Sequence, residues 1–223
     1  MSAEFSRRAF LVTAASAALA GCASARPGMP QMMAPTVDPQ FVAMYGARPD
    51  ERFPIPAIDV TRIDPQLFRQ EVAYDSFERP GTIVVDPGAR FLYLVRENGR
   101  AMRYGVGVGR AGYDYQGDAI IQRKAEWPRW TPTATMIAED PERNLPFAGG
   151  MEPGLKNPLG ARALYLFKNG VDTLYRIHGT NDPLSIGKSL SSGCVRLFNQ
   201  DIIDLHQRVP NGTRVVVLPT GMV

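Results

Sequence analysis

The stretch His178–Leu197, HGTNDPLSIGKSLSSGCVRL, decides how the rest of the chain is read. A His-Gly pair stands ahead of a Ser-Ser-Gly-Cys-Val-Arg run, with sixteen positions from His178 to Cys194. The chain holds two cysteines. With Cys22 consumed by lipid, as argued below, Cys194 is a lone thiol in an exported protein, where thiols are usually paired or absent. A cysteine with a histidine near it is a candidate nucleophile and base, because the thiolate attacks and the imidazole takes its proton. Gly193 lets the backbone turn tightly, so amide N–H groups around Cys194 are placed to face a developing oxyanion. Spacing alone leaves the plainer reading open, since a single buried cysteine is more often a small core residue.

The whole string narrows the choice. It resembles the signature of the L,D-transpeptidase catalytic domain (the YkuD family): His-Gly, a loop, then Ser-x-Gly-Cys-x-Arg. The resemblance covers roughly residues 80–218. It implies that Cys194 is the nucleophile, His178 the general base and Gly179 the residue whose carbonyl orients the imidazole. It also implies that Arg196 binds or polarises substrate or braces the loop, and that Gly193 and Ser192 belong to the oxyanion and substrate contacts. Ser192 departs from the pattern, because many members carry histidine there; local hydrogen bonding and acceptor preference are expected to follow. The family implies a mainly β, β-sandwich-like domain with the cysteine loop in a groove, no cofactor, and peptidoglycan stem peptides as substrate. The expected reaction passes through a thioester on Cys194, releases D-alanine and hands the acyl group to an amine. The acceptor stays open: a second diaminopimelate, an amine on an envelope protein, a free D-amino acid or water. Two alternatives are a cell-wall cysteine peptidase and a non-catalytic, lipid-anchored wall-binding module. Papain-like order places Cys before His, opposite to this chain, and the intact His-Gly and Ser-x-Gly-Cys-x-Arg elements argue against a vestigial site.

The N-terminus reads as an export signal, residues 1–22. Ser6-Arg7-Arg8-Ala9-Phe10-Leu11 leads into an apolar run to Ala20 and then Leu19-Ala20-Gly21-Cys22. A charged start and a short apolar run fit a signal peptide, and a permanent span needs ~20 apolar residues. Twin arginines before Phe-Leu resemble a twin-arginine signal. Leu-Ala-Gly-Cys resembles a lipobox, which makes Cys22 the lipidated first residue of a protein held at the periplasmic face of the envelope. Cleavage after Ala23-Ser24-Ala25 is the alternative. The net charge of +3 includes +1 from Arg7 and Arg8 against Glu4. That is too little to suggest nucleic acid as a partner.

Residues 23–63 are rich in Pro, Met and Ala without a sustained period and read as a tether. Residues 64–80 form a lead-in, where Asp64-Pro65 is an N-cap followed by proline and predicts a short helix through Leu67, Phe68 and Val72. The catalytic domain follows over 81–218. Thr82–Asp86 and Arg90–Val95 are β-branched and aromatic runs around an Asp86-Pro87-Gly88 turn, hence a hairpin. Further strands are expected at 100–108, 119–125, 163–168, 173–178 and 213–218, with one helix, Gln200–Val209, capped by Asn199. Alternation along 173–178 places Leu174, Arg176 and His178 on one face and Tyr175 and Ile177 on the other. His206, on the helix, reads as a surface or boundary residue. The Glu126–Pro132 loop is expected either to wall the groove or to pin itself through its aromatics. Gly149–Arg162 reads as a mobile flap. Two histidines 28 residues apart and one thiol make no closed metal site.

Overall fold

A computed structural model describes residues 37–109, 115–190 and 194–219. The export segment with Cys22, the tether to residue 36, and Ser192 and Gly193 lie outside the described residues. In chain order the first strands are β1 (Gln70–Ala73), β2 (Ile83–Asp86), β3 (Phe91–Arg96), β4 (Arg100–Gly105) and β5 (Gly107–Gly109). They are followed by β6 (Gly117–Glu126), β7 (Arg162–Lys168), β8 (Val171–His178), β9 (Ser189–Leu190), β10 (Val195–Arg196) and β11 (Arg214–Val217). They form one mixed sheet in the order β1-β4-β3-β2-β11-β6-β7-β8-β10-β5-β9.

The expected hairpin is β2–β3, with Ile83, Val84 and Val85 opposite Leu94, Tyr93 and Leu92. Its turn is closed by Asp86, whose carboxylate accepts the Ala89 N–H at 2.8 Å. β4 and β5 are separated by Val106 alone, yet they stand far apart in the strand order. A chain that nearly joins both ends of a sheet forces the sheet to fold over on itself. The enclosed face holds the main core, including Leu92, Tyr104, Val106, Val108, Leu164, Ile177 and Val215. This is the sandwich-like, mainly β arrangement the sequence predicted.

Helix α4 (Asn199–Arg208, after three short helices introduced below) lays Ile202, Leu205 and the following Val209 into that core. The expected cap does not form. Phe198 takes the N-cap position without a side-chain bond. Asn199 spends its amide elsewhere, accepting the Ala161 N–H and donating to the Thr180 carbonyl, each at 2.9 Å.

The tether reading is corrected for residues 37–63. After α1 (Pro39–Met44) the chain wraps the domain, burying Tyr45, Val60 and Ile63 with Phe68, Ile186 and Phe198 in a second cluster. Buried Gln200 donates to the carbonyls of Tyr45, Gly46 and Pro56, so the first turn of α4 is stitched to this wrap. Glu51 accepts from both guanidinium nitrogens of Arg162, at 2.9 and 2.8 Å, and from Trp127 Nε1 at 2.9 Å. Isolated apolar anchors and one buried ion pair hold a segment whose composition suggested a free linker. The lead-in helix is also shorter than expected. Asp64 does accept the Gln66 N–H at 2.9 Å, but the turn ends at Leu67 and Val72 lies in β1.

Candidate active site

The site begins with the register of two parallel strands. In β8 and β10, Ile177 faces Val195 and His178 faces Arg196. Ile177 and Val195 are fully buried in the core. The alternate residues Leu174, Arg176 and His178 on β8, with Cys194 and Arg196, line a cleft of about 550 Å³ on the other face. The predicted alternation of residues 173–178 holds, and Cys194, just before β10, stands beside the histidine strand.

His178 and Cys194 are 4% and 8% exposed. His178 Nδ1 lies 2.7 Å from the Gly179 carbonyl. A carbonyl only accepts, so Nδ1 carries the proton and Nε2 keeps its lone pair. Burial pushes the His178 pKa down to about 3, helped by the positive charges of Arg196 and Arg176 and opposed by the carbonyls of Gly179 and Pro158. The Cys194 thiol points toward the Leu174 carbonyl at 3.6 Å. Burial pushes its pKa up, against the Arg176 backbone N–H and the guanidiniums of Arg176 and Arg196, which favour thiolate. The resting pair is therefore a neutral thiol and a neutral imidazole on one cleft wall, with the guanidiniums of Arg176 and Arg196 near both. Leu174 sits at a φ of 60°, where an L side chain is strained, just where the β7–β8 register shifts.

The walls come from two loops and a small helical cap. In the 126–132 loop, Trp127 is buried under Phe53 and pinned by Glu51, whereas Arg129, Trp130 and Thr131 line the cleft. The loop thus divides between the two expected roles. The 149–162 segment is not a free flap, because Asn157 donates to the carbonyls of Pro128, Met151 and Glu152 and anchors it as a wall. The cap was not anticipated. It consists of α2 (Ala134–Glu139) and α3 (Pro141–Asn144), N-capped by the side chains of Thr133 and Asp140. Buried Asn144 donates to the carbonyls of Met136 and Asp140 and ties the two together. The Asp140-Pro141 pair was the available signal. His206 lies half-buried on α4 and is not among the cleft residues.

A folded-over β sheet with a buried cysteine and a carbonyl-oriented histidine on one cleft wall defines a thiol–imidazole domain. Residues 80–217 match the YkuD family, L,D-transpeptidase catalytic domain, and the chain belongs to that family. It is 35% identical over 158 residues to "Probable L,D-transpeptidase YbiS" of Escherichia coli K12, covering 70% of this chain and 48% of that protein. It is 33% identical over 151 residues to "Probable L,D-transpeptidase ErfK/SrfK" of the same organism, covering 67% and 47%. The chain thus spans about half the length of these curated relatives. A crystal structure described as a "Probable carnitine operon oxidoreductase caia from Brucella melitensis" is 51% identical, covers 72% of this chain and 99% of that one, and has a TM-score of 0.49.

Proposed function

We propose that this chain is a peptidoglycan L,D-transpeptidase with Cys194 as nucleophile and His178 as general base. The observation that carries the reading is the tautomer of His178: Nδ1–H held by the Gly179 carbonyl leaves Nε2 to take the thiol proton. In this mechanism Cys194 Sγ attacks the carbonyl of the diamino acid that precedes the terminal D-alanine of a tetrapeptide stem. The imidazolium passes its proton to the departing D-alanine amine, leaving a thioester. An acceptor amine, deprotonated by His178, then attacks the thioester and frees the thiol.

The neutral resting pair fits this order of events. The imidazole is unprotonated at neutral pH and able to accept a proton, and Arg176 and Arg196, which disfavour the imidazolium, favour the thiolate formed with it. Backbone amides around Gly193 and Cys194 are the proposed oxyanion donors, a class of contact worth about 3–4 kcal/mol in other acyl transfers. We place the enzyme at the periplasmic face of the envelope, exported by the twin-arginine-like signal and anchored by lipid on Cys22. The acceptor is a second stem peptide or an amine on an envelope protein. Incubation with a tetrapeptide muropeptide tests the reading: D-alanine release with a cross-linked or amine-coupled product supports it. Release of D-alanine without coupling to any supplied amine points to hydrolysis, and no release contradicts it.

A further inference from the structure

Arginines dominate the cleft. Arg123, Arg129, Arg143, Arg176 and Arg196 line it, and Asp182 is the carboxylate among the described lining residues. Several of these cations have visible work. Arg176 holds Asp172 through two nitrogens at 2.6 and 2.7 Å. Arg129 pairs with Glu152 at 3.0 Å. Arg123 and Arg176 both lie over the Tyr165 ring, at 4.4 and 4.5 Å from its centroid.

Arg143 differs from them. It is exposed on the cap, its backbone N–H bonded to the Asp140 side chain and its neighbour Asn144 locked into α2. Its guanidinium makes no hydrogen bond or ion pair with any other described residue. It and the half-buried Arg196 both line the cleft, and Arg143 stands close enough to push the Arg196 guanidinium's pKa down, next after burial and against Asp182 and Cys194. Two like charges facing one cleft repel unless an anion comes between them.

We propose that Arg143 and Arg196 together hold a carboxylate of the donor peptide, which makes the helical cap a specificity element outside the Cys/His signature. This rests on the stem-peptide reading above. A tetrapeptide donor carries two carboxylates near the scissile bond: that of the terminal D-alanine and that on the diamino-acid side chain. Arg196 lies two strand positions beyond Cys194 on the same face, roughly 6.6 Å along the strand. That span suits a scissile carbonyl at Sγ with the terminal carboxylate at the guanidinium.

The test uses the full chain, wild type and Arg143→Gln, with three donors: the tetrapeptide, its C-terminal carboxamide, and the form amidated on the diamino-acid side chain. Release of D-alanine or its amide is followed at varied donor concentration. The expected result is that Arg143→Gln raises KM for the free acid about tenfold, the size of one charge-assisted hydrogen bond, with kcat nearly unchanged. Wild type should show a larger rise on one of the carboxamides, and Arg143→Gln a smaller further rise on that donor, the part that belongs to Arg196. The carboxamide that behaves so identifies the carboxylate. An unchanged KM, or penalties that simply add on both amidated donors, overturns the proposal. So does slower alkylation of Cys194 by iodoacetamide in the variant, which would assign Arg143 to the architecture of the site. Wild-type turnover with an unaffected variant removes the role of Arg143 alone, whereas no turnover by wild type on any donor removes the transpeptidase reading and this inference with it.

Discussion

Asn199 stands where a side chain on Gly179 would have to go: a Cβ there would lie 2.2 Å from Asn199 Oδ1. The same amide accepts from Ala161 N–H and donates to the Thr180 carbonyl. One side chain on the first turn of α4 therefore fixes both the entrance to β7 and the residues around Gly179, whose carbonyl sets the tautomer of His178. Gly179→Ala is expected to cost ~1–3 kcal/mol by overpacking and to slow D-alanine release at least as severely as it perturbs the fold. Asn199→Ala leaves two backbone groups unpaired and should cost about 1–3 kcal/mol. Urea unfolding beside D-alanine release checks both; wild-type stability and rate in Gly179→Ala would contradict the packing described.

The thiol should titrate late. Burial raises the Cys194 pKa above the ordinary 9.0, and the depressed imidazole offers no cation of its own to lower it. Alkylation by iodoacetamide should be slow at neutral pH and still climbing at pH values near 9. A rate that is fast and flat from pH 6 upward would instead indicate a preformed thiolate–imidazolium pair.

Stability should depend on pH through opposed groups. Burial holds His178 down to about 3 and His206 to about 4, against an ordinary 6.5. The unfolded chain takes up these protons first, so their contribution is complete above pH 6.5 and lost as pH falls. Burial raises Asp201 to about 7 from 3.8, despite Arg69 and the Tyr45 hydroxyl beside it. Its contribution is complete below pH 3.8 and lost as pH rises toward 7. Asp201→Asn removes the opposing term, so between pH 4 and 6.5 the variant's stability should rise with pH more steeply than wild type, by up to ~1.4 kcal/mol per pH unit, the size of the Asp201 contribution removed. Urea midpoints at three pH values decide it; an equal or shallower slope counts against Asp201 being held protonated in the folded protein.

The N-terminal wrap should matter to stability. Glu51 and Arg162 side chains are 9% and 8% exposed, and Glu51→Ala leaves the guanidinium buried without its carboxylate. The expected cost is ~3–5 kcal/mol, read as a lower thermal midpoint. A midpoint within a degree of wild type would mean that residues 37–63 do not hold the domain as described.

Much of this was legible because period and face are local properties. Ile83-Val84-Val85 and Leu92-Tyr93-Leu94 declare a largely buried hairpin, and alternation over 173–178 already set Arg176 and His178 apart from Tyr175 and Ile177. The wrap was illegible because Tyr45, Ile55, Val60 and Ile63 are single anchors without a period, and their partners Gln200, Phe198 and Trp127 are distant in sequence. The cap escaped because α2 and α3 are too short to show an apolar stripe, although Thr133 and Asp140-Pro141 mark their starts. Asn199 misled for a physical reason: a residue suited to capping its own helix found better partners across the fold.

The central claim is a thioester on Cys194. Intact-protein mass spectrometry of wild type and Cys194→Ala, each incubated with a tetrapeptide stem, measures it directly. The account predicts an adduct of the mass of the donor less D-alanine on wild type, none on the variant, and free D-alanine in step with the adduct. No adduct under reducing conditions, or an equal adduct on Cys194→Ala, would contradict it.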